Sequence, residues 1–231
     1  MPDAIIASPT YDVSCRRCAR LSGFLARVRE AHPGYHCAPV PPFGDAAARL
    51  VIVGLAPGLH GANATGRPFT GDYAGILLYD TLHAYGYASS PLSRTAADPL
   101  TLTGCRITNA VKCLPPENKP TPAEIRACNG FLAADLAAVP AGGAVLALGR
   151  IAHDATLAAV GERRSAHPFA HAARHELPSG VTMFDSYHCS RYNTNTGRLT
   201  EQMFRSVFDA VARHLRRPGG SGATKLRAAQ A

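Results

Sequence analysis

Residues 50–72 read LVIVGLAPGLHGANATGRPFTGD, four aliphatic residues running straight into a long glycine-rich loop. Leu50–Val53 is apolar at every position, which fits a strand buried on both faces. The loop from Gly54 to Asp72 holds three glycines and a proline in its first half and two Thr-Gly pairs in its second. Such a composition suggests backbone held close to a ligand, with main-chain N–H groups available as donors. The glycine spacing is not that of a dinucleotide fingerprint, and no Gly-Lys-Ser/Thr is present to make a P-loop.

Working outward, three more short apolar runs end in turn signals or polar breaks, at Cys105–Val111, Ala144–Gly149 and Val181–His188. Helical spacing fills the gaps at Tyr73–Tyr85, Pro122–Val139 and Ile151–Val160, with a last helix over Thr200–Leu215. Another runs from about Cys15 to Arg29, and the Pro- and Gly-rich stretch His32–Gly44 reads as a loop. Thr121, Pro122 and Glu124 form the signature of a capping box. Strands alternating with helices predict an α/β fold, a three-layer α/β/α sandwich around a four-stranded parallel sheet. Right-handed crossovers would bring the strand ends to one rim, where ligands bind in open sheets. The segments after the first, second and fourth strands are the unusual ones, while the end of the third reads as structural.

The chain has 231 residues, 46% of them apolar, enough for one good core. A single domain over 1–217 is expected, with 218–231 a disordered basic tail. No apolar run approaches bilayer length, and the N-terminus lacks the basic and apolar regions of a secretory signal. The formal charge of +8 favours a polyanionic partner, although Arg213, Arg216, Arg217, Lys225 and Arg227 put part of it near the C-terminus. Seven cysteines, an odd number, fit metal-bound thiolates in a reducing cytoplasm better than a disulfide framework. Cys15 and Cys18 form C-x2-C, and Cys113 and Cys128 form C-x14-C. By spacing alone these could be a redox pair, half of a zinc site, or four ligands of one metal centre.

The loop at 54–72, the stretch HCSRYNTNTGRLT at 188–200 and the cysteine layout together resemble the family 5 (type b) uracil-DNA glycosylases. The resemblance covers most of residues 15–215. Relatives carry an acid or amide where this chain has Ala56, and family 4 enzymes have Glu there. The resemblance implies a bacterial DNA-repair enzyme, working as a monomer at the nucleoid, that flips uracil out of duplex or single-stranded DNA and hydrolyses its glycosidic bond. It implies that Phe69 stacks on the base, with Gly54, Ala56, Pro57 and Gly58 as neighbouring wall, and that Asn109 reads the base edge. His188 would donate to uracil O2, and Asp72 would position water or stabilise the positive sugar, or simply cap the helix beginning at Tyr73. His60 and Asn63 would contact water or phosphate, Arg67 would contact DNA, and Ser190, Arg191, Tyr192 and Asn193 would enter the groove, with Cys189 replacing the usual Pro. Cys15, Cys18, Cys113 and Cys128 would hold a 4Fe–4S cluster, zinc being the rival, beside a DNA face with Lys112, Lys119 and Arg126. Cys105 reads as a core residue and Cys37 as an incidental thiol. Two other readings stay open: a DNA-binding module that has lost its chemistry, and a glycosylase of narrower, family 4-like or broader base range.

Overall fold

The computed structural model describes residues 11–216. Six strands form one sheet, β1 (Phe43–Gly44), β2 (Leu50–Gly54), β3 (Cys105–Asn109), β4 (Ala144–Leu148), β5 (Arg174–Glu176) and β6 (Thr182–Ser186), in the order β1-β3-β2-β4-β6-β5. The four inner strands are parallel, as their two-sided apolar text requires. The sequence expectation of four strands is corrected by two short antiparallel edges, β1 and β5. These have two and three residues, too few for any periodicity to show; β1 forms by pairing with distant β3, and β5 by a hairpin with β6.

Seven helices accompany the sheet among the described residues: α1 (Ala19–Ala31), α2 (Ala62–Thr65), α3 (Tyr73–Ala84), α4 (Pro122–Ala137), α5 (Arg150–Ala159), α6 (Arg191–Asn195) and α7 (Glu201–Leu215). Alternate strand residues feed two cores. Leu50, Ile52, Ile107, Leu146 and Phe184 meet Leu78, Leu82, Phe204 and Phe208 from α3 and α7. Val51, Val53, Val145, Ala147 and Met183 meet Leu132, Leu136, Ala152 and Ala155 from α4 and α5. The period of two in each strand thus produces the three layers.

Four helices, α3, α4, α6 and α7, start at side-chain caps. Thr121 accepts from the Glu124 N–H at 3.3 Å while Glu124 Oε2 accepts from the Thr121 N–H at 2.7 Å, the reciprocal box expected. Glu124 also takes both arms of Arg20 at 2.8 Å, tying α1 to α4. The expected helix from Cys15 is corrected: α1 begins at Ala19, with Cys18 extended as its N-cap and Cys15 in a turn that closes on the Asp12 carbonyl. The expected tail at 218–231, like residues 1–10, lies outside the described residues. No helix among those described is long and apolar enough to cross a membrane.

Candidate active site

Gly54 and Asn109 stand in register at the C-terminal ends of β2 and β3. Asn109 is buried, and its Oδ1 has no hydrogen-bond partner. A Cβ on Gly54 would run into that oxygen and lie 2.7 Å from Phe69 Cζ. Glycine at position 54 therefore keeps the space in which an amide edge and an aromatic ring meet. Neither Pro57, which is buried, nor Ala56 competes for it. Ala56 packs instead on the Leu21, Val111, Cys128 and Phe131 cluster.

Phe69 takes a left-handed backbone, φ 56°, rare for a bulky side chain. The surroundings over-determine it. Tyr79 donates its hydroxyl to the Pro68 carbonyl at 2.7 Å. A Cβ on Gly75 would collide with the Phe69 carbonyl oxygen, so α3 approaches this turn only because residue 75 is glycine. The Phe69 ring faces the His188 ring with centroids 6.0 Å apart and planes 27° off parallel.

His188 follows β6 by two residues, and Gly149, φ 94°, leaves room for it after β4, with its Cβ position 3.4 Å from the His188 Cβ. The end of the third strand, expected to be merely structural, thus borders the site. Burial pushes the His188 pKa down to about 4, so the imidazole is neutral near pH 7. Asp72 is the N-cap of α3, its Oδ1 accepting from the Gly75 N–H at 2.8 Å. Its Oδ2 turns toward the loop, 2.7 Å from where a Gly61 Cβ would sit and 3.9 Å from that of Gly58. Burial raises the Asp72 pKa, and the Gly75 and Ala74 N–H groups partly oppose the rise. Cys189 is wholly buried beside it. The contributions of Gly61, Gly75 and Gly149 went unread in the sequence, since only packing gives them a role.

The residues expected to contact water, phosphate or DNA divide. His60 is exposed, with Nδ1 2.8 Å from the Tyr35 hydroxyl. Asn63 is a correction as to phosphate: it has no exposed surface, its Nδ2 reaches Cys37 Sγ at 3.6 Å, and its Oδ1 is left without a hydrogen-bond partner. Arg67 is another, since its guanidinium donates to the carbonyls of Thr95, Ala96 and Asp98 and lies over Phe43. In the second motif, Ser190 caps α6 by accepting from the Asn193 N–H at 3.5 Å, and Asn193 Nδ2 donates to the His188 carbonyl at 2.8 Å. Those two brace the loop. Tyr192 projects, 72% exposed, and Arg191 lies over Tyr73.

Cys15, Cys18, Cys113 and Cys128 line one small cavity with Leu21, Val111 and Phe131. Burial raises the thiol pKa of Cys18, Cys113 and Cys128, that of Cys113 to about 12. The Lys112 N–H points at Cys128 Sγ, 3.3 Å away. No three of these sulfurs lie within 4.8 Å of one another. Lys112 itself, expected on a DNA face, is corrected: its side chain is buried, with Nζ 3.0 Å from Asp135 Oδ2 and a further bond to Thr108 Oγ1. Cys105 is in the core as expected.

The family model described as the uracil DNA glycosylase superfamily matches residues 41–212, nearly the whole sheet and its helices. The chain belongs to that superfamily. Within it, the chain is 50% identical to a type-5 uracil-DNA glycosylase of Thermus thermophilus over 199 residues, covering 84% of this chain and 90% of that one. A type-5 enzyme of Mycobacterium bovis is 42% identical over 202 residues, covering 84% and 75%. One of Pyrobaculum aerophilum is 39% identical over 204 residues, covering 87% and 88%. Membership of the superfamily agrees with the mixed α/β fold.

Proposed function

We propose that the protein removes uracil from DNA by hydrolysing the bond between uracil N1 and deoxyribose C1′. The observation that carries this reading is the buried, unpartnered Oδ1 of Asn109 beside Phe69 and His188. An acceptor left unmet out of water costs about 1–3 kcal/mol, which a ligand donor relieves. Uracil N3–H is such a donor, and uracil O4 accepts from the other end of the amide. Cytosine offers the reverse pattern and is refused while the amide keeps this orientation.

The base must leave the stack to reach this pocket. There it lies on Phe69, with O2 toward His188. A neutral imidazole donates a hydrogen bond to O2 as the leaving base gathers negative charge, and a donor fixed where charge develops is a large catalytic term. Asp72 keeps Oδ1 on its cap and uses Oδ2 to hold the water and balance the positive sugar. Water oxygen bonds to C1′, the C1′–N1 electron pair leaves with uracil, and the water proton passes to Asp72. The two long motifs contain no lysine for a Schiff base, so the product is an abasic site without a nick.

The four cysteines would hold a 4Fe–4S cluster that ties α1 to the loop after β3, with no part in hydrolysis. Four thiolates suit such a cluster, and zinc held by the same thiolates is the rival. Tyr192 and Arg191 enter the groove, and His60 meets phosphate. The enzyme acts as a monomer, in the cytoplasm, on duplex or single-stranded DNA.

The test is incubation with a labelled uracil-containing duplex followed by alkali. Scission at the uracil position only after alkali is expected. An intact strand, or scission before alkali, would rule the reading out.

A further inference from the structure

A second group of buried polar side chains lies on the α5 side of the sheet, near the ends of β4 and β6, and takes no part in the proposed reaction. His153 of α5, His175 of β5 and Asp185 of β6 bring three donor atoms within 4.8 Å of one another. His153 Nδ1 stands 2.8 Å from Asp185 Oδ1, and His175 Nε2 stands 3.0 Å from Asp185 Oδ2. On its far side His153 Nε2 is 2.9 Å from the carbonyl oxygen of His167. Asp185 has no exposed surface and His153 almost none.

Counting protons shows why this group is unusual. A carbonyl oxygen only accepts, so His153 Nε2 carries a hydrogen. In a neutral imidazole Nδ1 is then bare, yet it faces a carboxylate oxygen, which also only accepts. A positive species must lie between them, either a second proton or a metal ion.

Three features favour the metal. Two imidazoles from different elements converge on the two oxygens of one carboxylate, a donor set suited to zinc. The far N–H of His153 on a backbone carbonyl is the contact that fixes the tautomer and tilt of a metal-bound histidine. Further donors stand close by, for the His167 ring centroid is 5.4 Å from that of His175, and His167 Nε2 meets Glu162 Oε2 at 3.1 Å. Zinc bonds of about 2.0–2.2 Å in a tetrahedron set donor atoms about 3.3 Å apart. That is a few tenths wider than the present N···O separations, a shift side-chain rotation supplies.

We propose that His153, His175 and Asp185 form a zinc site, independent of the four cysteines, that fastens edge strand β5 and helix α5 to β6. Asp185 precedes His188 by three residues. The ion would therefore brace the strand that delivers the imidazole to the pocket.

The test uses the full chain with its four-cysteine site loaded, equilibrated with micromolar zinc and desalted. Zinc and iron are counted by elemental analysis, and the zinc neighbours are read by X-ray absorption. About one zinc per chain in a nitrogen and oxygen shell is expected. His175→Gln and, separately, His153→Gln should each remove that zinc and leave the iron count unchanged. Absence of bound zinc, zinc with sulfur neighbours only, or a count that neither variant lowers overturns the proposal. The group would then be a buried imidazolium–carboxylate pair. Because the wild-type shell is decisive alone, a variant that fails to fold does not blur the result.

Discussion

Gly54 and Asn109 end neighbouring parallel strands at the same level, and the missing side chain of the first leaves the space into which the amide oxygen of the second projects. A methyl group at position 54 would meet both Asn109 and Phe69. Gly54→Ala should therefore lower uracil excision by about a hundredfold, the scale expected when reacting groups move by an ångström. The strand should still form, because φ at this position is not left-handed. Single-turnover excision beside a thermal melt checks this, and near-normal excision would count against the pocket.

In the proposed reaction Asp72 carries two tasks on two oxygens, and two substitutions separate them. Asp72→Asn keeps an acceptor for the Gly75 N–H, so stability should change little while excision falls sharply. Asp72→Ala loses the cap as well and should cost about 1 kcal/mol of stability on top of the same catalytic loss. If both variants melted alike and Asp72→Asn kept full turnover, Asp72 would be a cap only.

The pH dependence of stability should report His188. Its pKa falls from 6.5 to about 4 on folding, so between these values the unfolded chain binds more protons than the native one. Stability contributed by the neutral ring is complete above about pH 6.5 and drains away as pH falls toward 4. His188→Gln should flatten that part of the stability curve in urea melts between pH 4 and 7. An unchanged slope would mean that the ring titrates as it does in water.

On the proposed reading, in which the four cysteines hold a 4Fe–4S cluster, removing the metal should loosen α1. Cys113→Ser should bleach broad visible absorption and lower the melting temperature, because the thiols would otherwise be buried and protonated. A colourless wild-type protein with zinc on sulfur would replace iron by zinc in this account.

Lys112→Met should destabilise the fold by about 3 kcal/mol, the usual cost of leaving one member of a buried ion pair behind. Arg106, 3.3 Å from Asp135, would soften the loss. Lys112→Met combined with Asp135→Leu should recover much of it, as chemical denaturation can measure. Equal losses in the single and double variants would argue against coupling.

The parallel centre was legible because each inner strand is written in consecutive apolar residues, and α4 because its cap is local text. Residues of the second long motif were legible as a group, yet their division of labour was not. Ser190 and Asn193 turn inward to hold the loop, and Tyr192 turns outward, a choice set by where α6 meets α3. The burial of Lys112 was hidden for a related reason. Its partner Asp135 lies 23 residues later on a helix face, and nothing in either neighbourhood marks the pairing. Asn63 and Arg67 misled because polar residues in a glycine-rich loop suggest ligand contact, whereas here they tie the loop to Cys37 and to the segment Thr95–Asp98. The His153, His175 and Asp185 group has no short spacing to recognise, being drawn from a helix and two strands.

The left-handed turn at Phe69 has a further consequence. Pro68, Phe69 and Gly75 belong to the same packing as Leu78, Tyr79 and Leu82, so the wall proposed to receive the base is finished when the chain folds and cannot relax separately. Substrates must conform to a mould already set, and heat should erase the mould and the fold in one transition.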